Sequence, residues 1–161
     1  MNLHFLRPPG AGPERDFLAR CLQCGQCAAV CPYGSIVMAT GFNLLVAGTP
    51  QVFPGKVPCY LCMRCPPVCP SGALRPLAME DVRMGRALLD RETCFTWQDT
   101  VICRSCFERC PLKGSAIELE GGIYPVITDK CAGCGLCEHV CPRRSITVSY
   151  THLRAHETGR N

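Results

Sequence analysis

Apolar residues along this chain come in short runs, with no sustained helical or strand period. The recurring unit is small. A residue of little volume precedes an aliphatic one at Ser35-Ile36, Ala73-Leu74, Ala116-Ile117 and Ser145-Ile146. Each pair follows a proline by a few residues: Pro32, Pro70, Pro111 and Pro142. This pattern predicts short strands restarted after each proline. Ala116–Glu120, the turn Gly121-Gly122 and Ile123–Ile127 predict a β-hairpin. Pro125 in its second arm marks a short or edge strand. Glu80–Leu89 allows a helical turn or two, weakened at Gly85, and Gly41–Pro58 reads as a connection. No segment approaches the roughly 18 apolar residues of a membrane span. Met1–Leu6 lacks the charged-then-apolar order of a signal peptide.

So little regular structure leaves stability to something besides apolar burial. The composition supplies it. Sixteen of the 161 residues are cysteine, beside 14 prolines and 15 glycines. That cysteine share signals a scaffold held by disulfides or metal.

The cysteines form four quartets: Cys21, Cys24, Cys27, Cys31; Cys59, Cys62, Cys65, Cys69; Cys94, Cys103, Cys106, Cys110; and Cys131, Cys134, Cys137, Cys141. Quartets one, two and four read C-x2-C-x2-C-x3-C-P, the run that holds [4Fe–4S] clusters in bacterial ferredoxins. The two-residue gaps let one loop aim three sulfurs at three corners of an iron cube. The fourth cysteine, a helical turn later, reaches the neighbouring cube. Two runs therefore interlock around two clusters, and four runs predict four [4Fe–4S] clusters held by all sixteen cysteines. Gly25, Gly133 and Gly135 lie between ligands, where the backbone passes close to the cube.

Quartet three departs from the run. Cys94 precedes Cys103 by a loop holding Trp97. Either that loop carries Cys94 to an iron, or the cluster there has three irons or another fourth ligand. A zinc site uses two separated cysteine pairs, and closely spaced cysteines lack partners at disulfide geometry. A structural zinc protein is the remote alternative. The formal charge of +4 takes every cysteine as neutral. Sixteen thiolates and four oxidised cores would leave the loaded chain at about −4, so the basic balance is no argument for nucleic acid. Arg64, Arg104, Arg109, Arg143 and Arg144 flank the ligands, where solvated heads are the plain expectation. Tyr33, Tyr60 and Phe107 suit cluster shielding. No paired-carboxylate or Ser/His/Asp constellation, GxGxxG or P-loop suggests catalysis by the chain itself.

Arg7-Pro8-Pro9-Gly10-Ala11, Arg20 to Cys27, and Cys31-Pro32-Tyr33 resemble the NapG/MauM ferredoxin-type family. So do Val57-Pro58-Cys59, Cys69-Pro70-Ser71-Gly72-Ala73-Leu74 and Arg83-Met84-Gly85. The gap Cys62-Met63-Arg64-Cys65 is shorter than is usual there. The resemblance implies an α+β, loop-rich fold of tandem bacterial-ferredoxin-like modules with short hairpins and helices. It implies a periplasmic carrier relaying electrons from a membrane iron–sulfur, quinol-oxidising protein to a redox enzyme or cytochrome. Nitrate reductase and methylamine oxidation are the systems implied. A cytoplasmic iron–sulfur subunit of a molybdopterin oxidoreductase complex is the alternative.

Related subunits pair their outer quartets together and their inner quartets together. On that analogy, residues 20–38 join 128–147 around an inner unit, 58–112. Cys141 then serves Cys21, Cys24 and Cys27, while Cys31 serves Cys131, Cys134 and Cys137. Cys110 serves Cys59, Cys62 and Cys65, while Cys69 serves Cys94, Cys103 and Cys106. Sequential pairing stays open, since neighbours in sequence are usually neighbours in space. The expected organisation is an extension over 1–19 with its export signal missing, the cluster domain over 20–147, and a non-native polar tail over 148–161.

Overall fold

Prolines and glycines cut the chain into short elements whose ends lie at the cysteine loops. The computed structural model describes residues 6–41 and 46–149. Expectations placed on residues 1–5 and on the tail beyond Ser149 lie outside the described residues.

Helix α1 (Glu14–Arg20) starts after Pro13 and buries Phe17. Glu14 and Asp16 in its first turn and Arg20 in its last complement the helix dipole. The first quartet loop ends in helix α2 (Gln26–Ala29), and strands β1 (Ile36–Met38) and β2 (Pro50–Val52) pair antiparallel behind it. The connection expected over Gly41–Pro58 thus contains a strand. After quartet two, Leu74 bridges back to Ala11 in antiparallel fashion and closes the module.

The second half repeats this plan. Strand β3 (Arg86–Leu89) leads to quartet three and helix α3 (Ser105–Arg109). Strands β4 (Ile117–Glu120) and β5 (Tyr124–Ile127) form the expected hairpin, with Ile117 opposite Ile127 and Leu119 opposite Pro125. Quartet four follows, with helix α4 (Leu136–Val140) and strand β6 (Ile146–Ser149). β6 returns to pair antiparallel with β3, from Arg86 opposite Ser149 to Leu89 opposite Ile146.

Two expectations change here. The helical turns expected over Glu80–Leu89 reduce to one 3-10 turn, Met79–Asp81, before β3. Buried Gly85 separates the two, and Ala87 is 2% exposed. Val148 and Ser149, set aside with the tail, belong to β6, where β3 supplies their ladder partners. The N-terminal segment is integral too. Arg7 is 5% exposed and forks onto both Glu14 carboxylate oxygens at 3.0 and 2.6 Å. It also donates to Thr49 Oγ1 and the Pro50 carbonyl, both at 2.8 Å.

All eight residues of the small-aliphatic pairs are buried. The six apolar ones belong to two core clusters. One centres on Phe17, Val52, Leu74 and Val82, the other on Ala87, Ala116, Ile117 and Ile146. The resulting fold is loop-rich α+β.

Candidate iron–sulfur sites

Four cavities gather the cysteines four at a time. The first holds Cys21, Cys24, Cys27 and Cys69. The second holds Cys31, Cys59, Cys62 and Cys65. The third holds Cys94, Cys103, Cys106 and Cys141, and the fourth Cys110, Cys131, Cys134 and Cys137. Each takes three sulfurs from one loop and one from the end of the adjacent quartet. The small-aliphatic pair after that last cysteine lines the same cavity: Ala73-Leu74 with Cys69, Ser35-Ile36 with Cys31, Ser145-Ile146 with Cys141, and Ala116-Ile117 with Cys110.

This grouping corrects the nested arrangement implied by related subunits. Cys69, not Cys141, joins Cys21, Cys24 and Cys27, and Cys31 joins quartet two rather than quartet four. The physical reason is local. The β1–β2 ladder lies between quartets one and two, and the β4–β5 hairpin between quartets three and four, so each folds adjacent quartets face to face. The Ala11–Leu74 bridge and the β3–β6 ladder then close each pair on itself.

The donor set fits an iron cube and not a single ion. Four sulfurs on one zinc crowd within about 4 Å of each other. Among the described residues, no three Cys, His, Asp or Glu side chains come together closely enough to hold one metal ion. None of the sixteen cysteines is in a disulfide. Backbone N–H groups turn toward the sulfurs: Leu74 to Cys69 at 3.4 Å, Gly133 to Cys131 at 3.4 Å, and Ser145 to Cys141 at 3.3 Å. The Ser145 hydroxyl is buried and has no hydrogen-bond partner among the described residues.

Burial pushes the thiols of Cys27, Cys59 and Cys106 up to about 11, and those of Cys65 and Cys134 up to about 12. Burial raises Cys137 and Cys110 as well, with neighbouring cysteines adding to it. Only a strongly positive group in these cavities would hold such sulfurs as thiolates at neutral pH. Cys31 and Cys69 go the other way. Burial raises them, but several backbone N–H donors, joined at Cys69 by the Ser71 hydroxyl, outweigh it, and both end below the ordinary thiol value.

Comparison with known proteins finds iron–sulfur modules in the chain. Residues 20–73 match the model of a 4Fe-4S dicluster domain, and residues 124–147 that of a 4Fe-4S binding domain. The methylamine utilization ferredoxin-type protein MauM of Paracoccus denitrificans is 42% identical over 149 residues, covering 84% of this chain and 66% of that protein. The ferredoxin-type protein NapG of Escherichia coli is 41% identical over 152 residues, covering 84% and 65%. MauM of Methylorubrum extorquens is 38% identical over 149 residues, covering 84% and 67%. The chain belongs to the NapG/MauM ferredoxin-type family. It spans about two thirds of the length of these relatives.

In this family member, the long loop of quartet three is an ordered device. Thr96 is 2% exposed. Its Oγ1 accepts from the Cys103 N–H at 2.9 Å and donates to the Cys103 carbonyl at 3.0 Å. Trp97 Nε1 donates to the Pro125 carbonyl at 3.0 Å, and Arg91 lies 3.8 Å from the ring centroid. The detour thereby returns Cys94 to the cavity of Cys103 and Cys106. The five arginines beside the ligands are exposed. Arg104 and Arg143 donate to the carbonyls of Gly122 and Thr93. Tyr33 and Tyr60 stack at 4.2 Å over the second cavity, which both help to line.

Sequence reasoning had no role for Thr96, Leu61 or Arg7. Thr96 carried no signal, because a threonine inside a loop is common. Leu61 lies in quartet two yet is 4% exposed and lines the fourth cavity. Arg7 opens one of the motifs that carry the family resemblance, and it is buried in a hydrogen-bonded pair with Glu14.

Proposed function

We propose that the sixteen cysteines hold four [4Fe–4S] clusters, shared sequentially between neighbouring quartets, and that the protein relays single electrons between two redox partners. The observation that carries this reading is the repetition of one donor set, three cysteines from one loop and one from the adjacent quartet, in four cavities. The clusters supply one-electron chemistry. The chain's own residues bind them through cysteine and exclude water with Leu74, Ile36, Ile117 and Ile146. Backbone N–H groups and hydroxyls set the charge balance at sulfur. Among the described residues, no helix is long and apolar enough to cross a membrane. Kinship with NapG and MauM supports a periplasmic place between a membrane quinol-oxidising partner and a reductase of the nitrate type, or a methylamine-linked system.

Metal and sulfide analysis of anaerobically purified protein tests the cofactor. We expect about sixteen irons and sixteen sulfides per chain, and a brown colour bleached by dithionite. More zinc than iron would overturn the reading. Mixing the reduced chain with periplasmic nitrate reductase tests the role. Reoxidation that depends on both the enzyme and nitrate supports that partner, and its absence there but presence with a methylamine-linked acceptor selects the other system.

A further inference from the structure

We infer that the contact between Cys59 and Cys134 is the electron-transfer junction between the two modules, so that the four sites form one line. The order runs from the Cys21/24/27/69 site to the Cys31/59/62/65 site, then to the Cys110/131/134/137 site and the Cys94/103/106/141 site. This rests on the cluster reading above and adds the route through the chain.

The backbone N–H of Cys59 donates to the carbonyl of Cys134 at 2.8 Å, joining a ligand of one module directly to a ligand of the other. Leu61, between ligands Cys59 and Cys62, reaches into the wall of the fourth cavity. The quartet four loop is built for this approach. Residues Cys131–Cys137 are all buried. A methyl group on Gly133 would fall on the Gly85 backbone, and one on Gly135 on the Pro54 ring. Met84 N–H donates to the Ala132 carbonyl at 2.9 Å, fixing the same loop a second time. Gly135 therefore lets this loop press against Pro54 of the first module, and the Cys59–Cys134 bond sets its distance.

Within each module, each site takes its fourth cysteine from the quartet that supplies the other three of its neighbour. The terminal sites open to solvent. Cys24 and Leu22 are exposed at one end, and Val101 and Ile102, beside Cys103, at the other. Cys62 also reaches solvent, under the Tyr33–Tyr60 pair.

The test is a chain that keeps only the two central sites, C21A/C24A/C94A/C103A, loaded anaerobically and fully reduced with titanium(III) citrate. We expect about eight irons per chain and an EPR spectrum of two spin-coupled centres that simplifies when half the electrons are withdrawn. Eight irons with two independent signals would overturn the junction and leave the cluster reading standing. Loss of all iron would count against the cluster reading itself. The half-variants C21A/C24A and C94A/C103A, at about twelve irons each, cover a fold failure of the fourfold variant. In each, coupling across the junction persists, and an isolated signal from the Cys31/59/62/65 site in C21A/C24A overturns the inference.

A different observation carries a second inference. Ser145 is 3% exposed, its hydroxyl has no partner among the described residues, and it lines the Cys141 cavity. The matching residues elsewhere are Ala73, Ala116 and Ser35, and the Ser35 hydroxyl is already donated to the Pro58 carbonyl at 2.6 Å. We propose that Ser145 donates to a sulfur of its cluster and raises the potential of that site alone. In a redox titration followed by EPR, Ser145→Ala shifts one midpoint to more negative potential at unchanged iron content, and Ser145→Thr restores it. Four unmoved midpoints, or four that move together, would overturn it.

Discussion

Gly25 and Gly135 occupy equivalent places, each just before the short helix that ends a three-cysteine loop. Both are left-handed, with φ of 75° and 86°. Replacing either with alanine puts a side chain in a conformation that costs about 1–2 kcal/mol. Their surroundings differ. A Cβ on Gly25 meets nothing within 4 Å, whereas one on Gly135 would lie 3.0 Å from Pro54 Cα and closer still to its Cβ. Overpacking a fixed neighbour adds about 1–3 kcal/mol. Gly25→Ala should therefore destabilise by about 1–2 kcal/mol, and Gly135→Ala by about 2–5 kcal/mol. The difference corresponds to a roughly 5- to 150-fold larger population of the opened loop. The assay is cluster loss under anaerobic chelator challenge, followed by visible absorbance, at denaturant levels where opening precedes release. Gly135→Ala should bleach faster than Gly25→Ala by that factor. Equal rates, or a faster Gly25→Ala, would refute the account of how quartet four packs against the first module.

Thr96→Val should strand the Cys103 N–H and carbonyl that Thr96 serves, at a cost of about 1–3 kcal/mol. In the same bleaching assay, about a quarter of the absorbance should then be lost ahead of the rest, since one site of four depends on this loop. Arg7→Ala should leave the Glu14 carboxylate and the Thr49 hydroxyl without their shared donor. Removing one partner of a buried pair costs about 3–5 kcal/mol, and the 28% exposure of Glu14 puts the expected loss near the lower figure. Arg7→Lys should recover only part of it, because one ammonium cannot replace the guanidinium fork. Denaturant midpoints of the loaded variants check both.

The cysteine spacing and the small-aliphatic pairs made the four cysteine quartets, the hairpin over Ile117–Ile127 and the strand restarts legible in the sequence. These features are local, and each is complete within about twenty residues. Which quartets share ligands was not legible, because the connections between successive quartets are similar in length. Only the folded β1–β2 and β4–β5 pairs bring adjacent quartets face to face. The burial of Arg7 and the Leu61 insertion depend on segments far apart in sequence, so no local pattern announces them. β3 escaped the sequence reading for a related reason. Arg86–Leu89 becomes a strand because β6 supplies its partner from 57 to 63 residues away, from Arg86 opposite Ser149 to Leu89 opposite Ile146.

The central claim is that sixteen cysteines hold four clusters, shared between quartets adjacent in the chain. Iron content of two triple variants tests it most directly. In C21A/C24A/C69A all three substitutions fall on one site, so about twelve irons should remain. In C94A/C103A/C69A they fall on two, so the count should drop below twelve. Sharing between nested quartets would reverse the two results, with twelve irons kept by C94A/C103A/C69A and fewer by C21A/C24A/C69A, and would contradict the account.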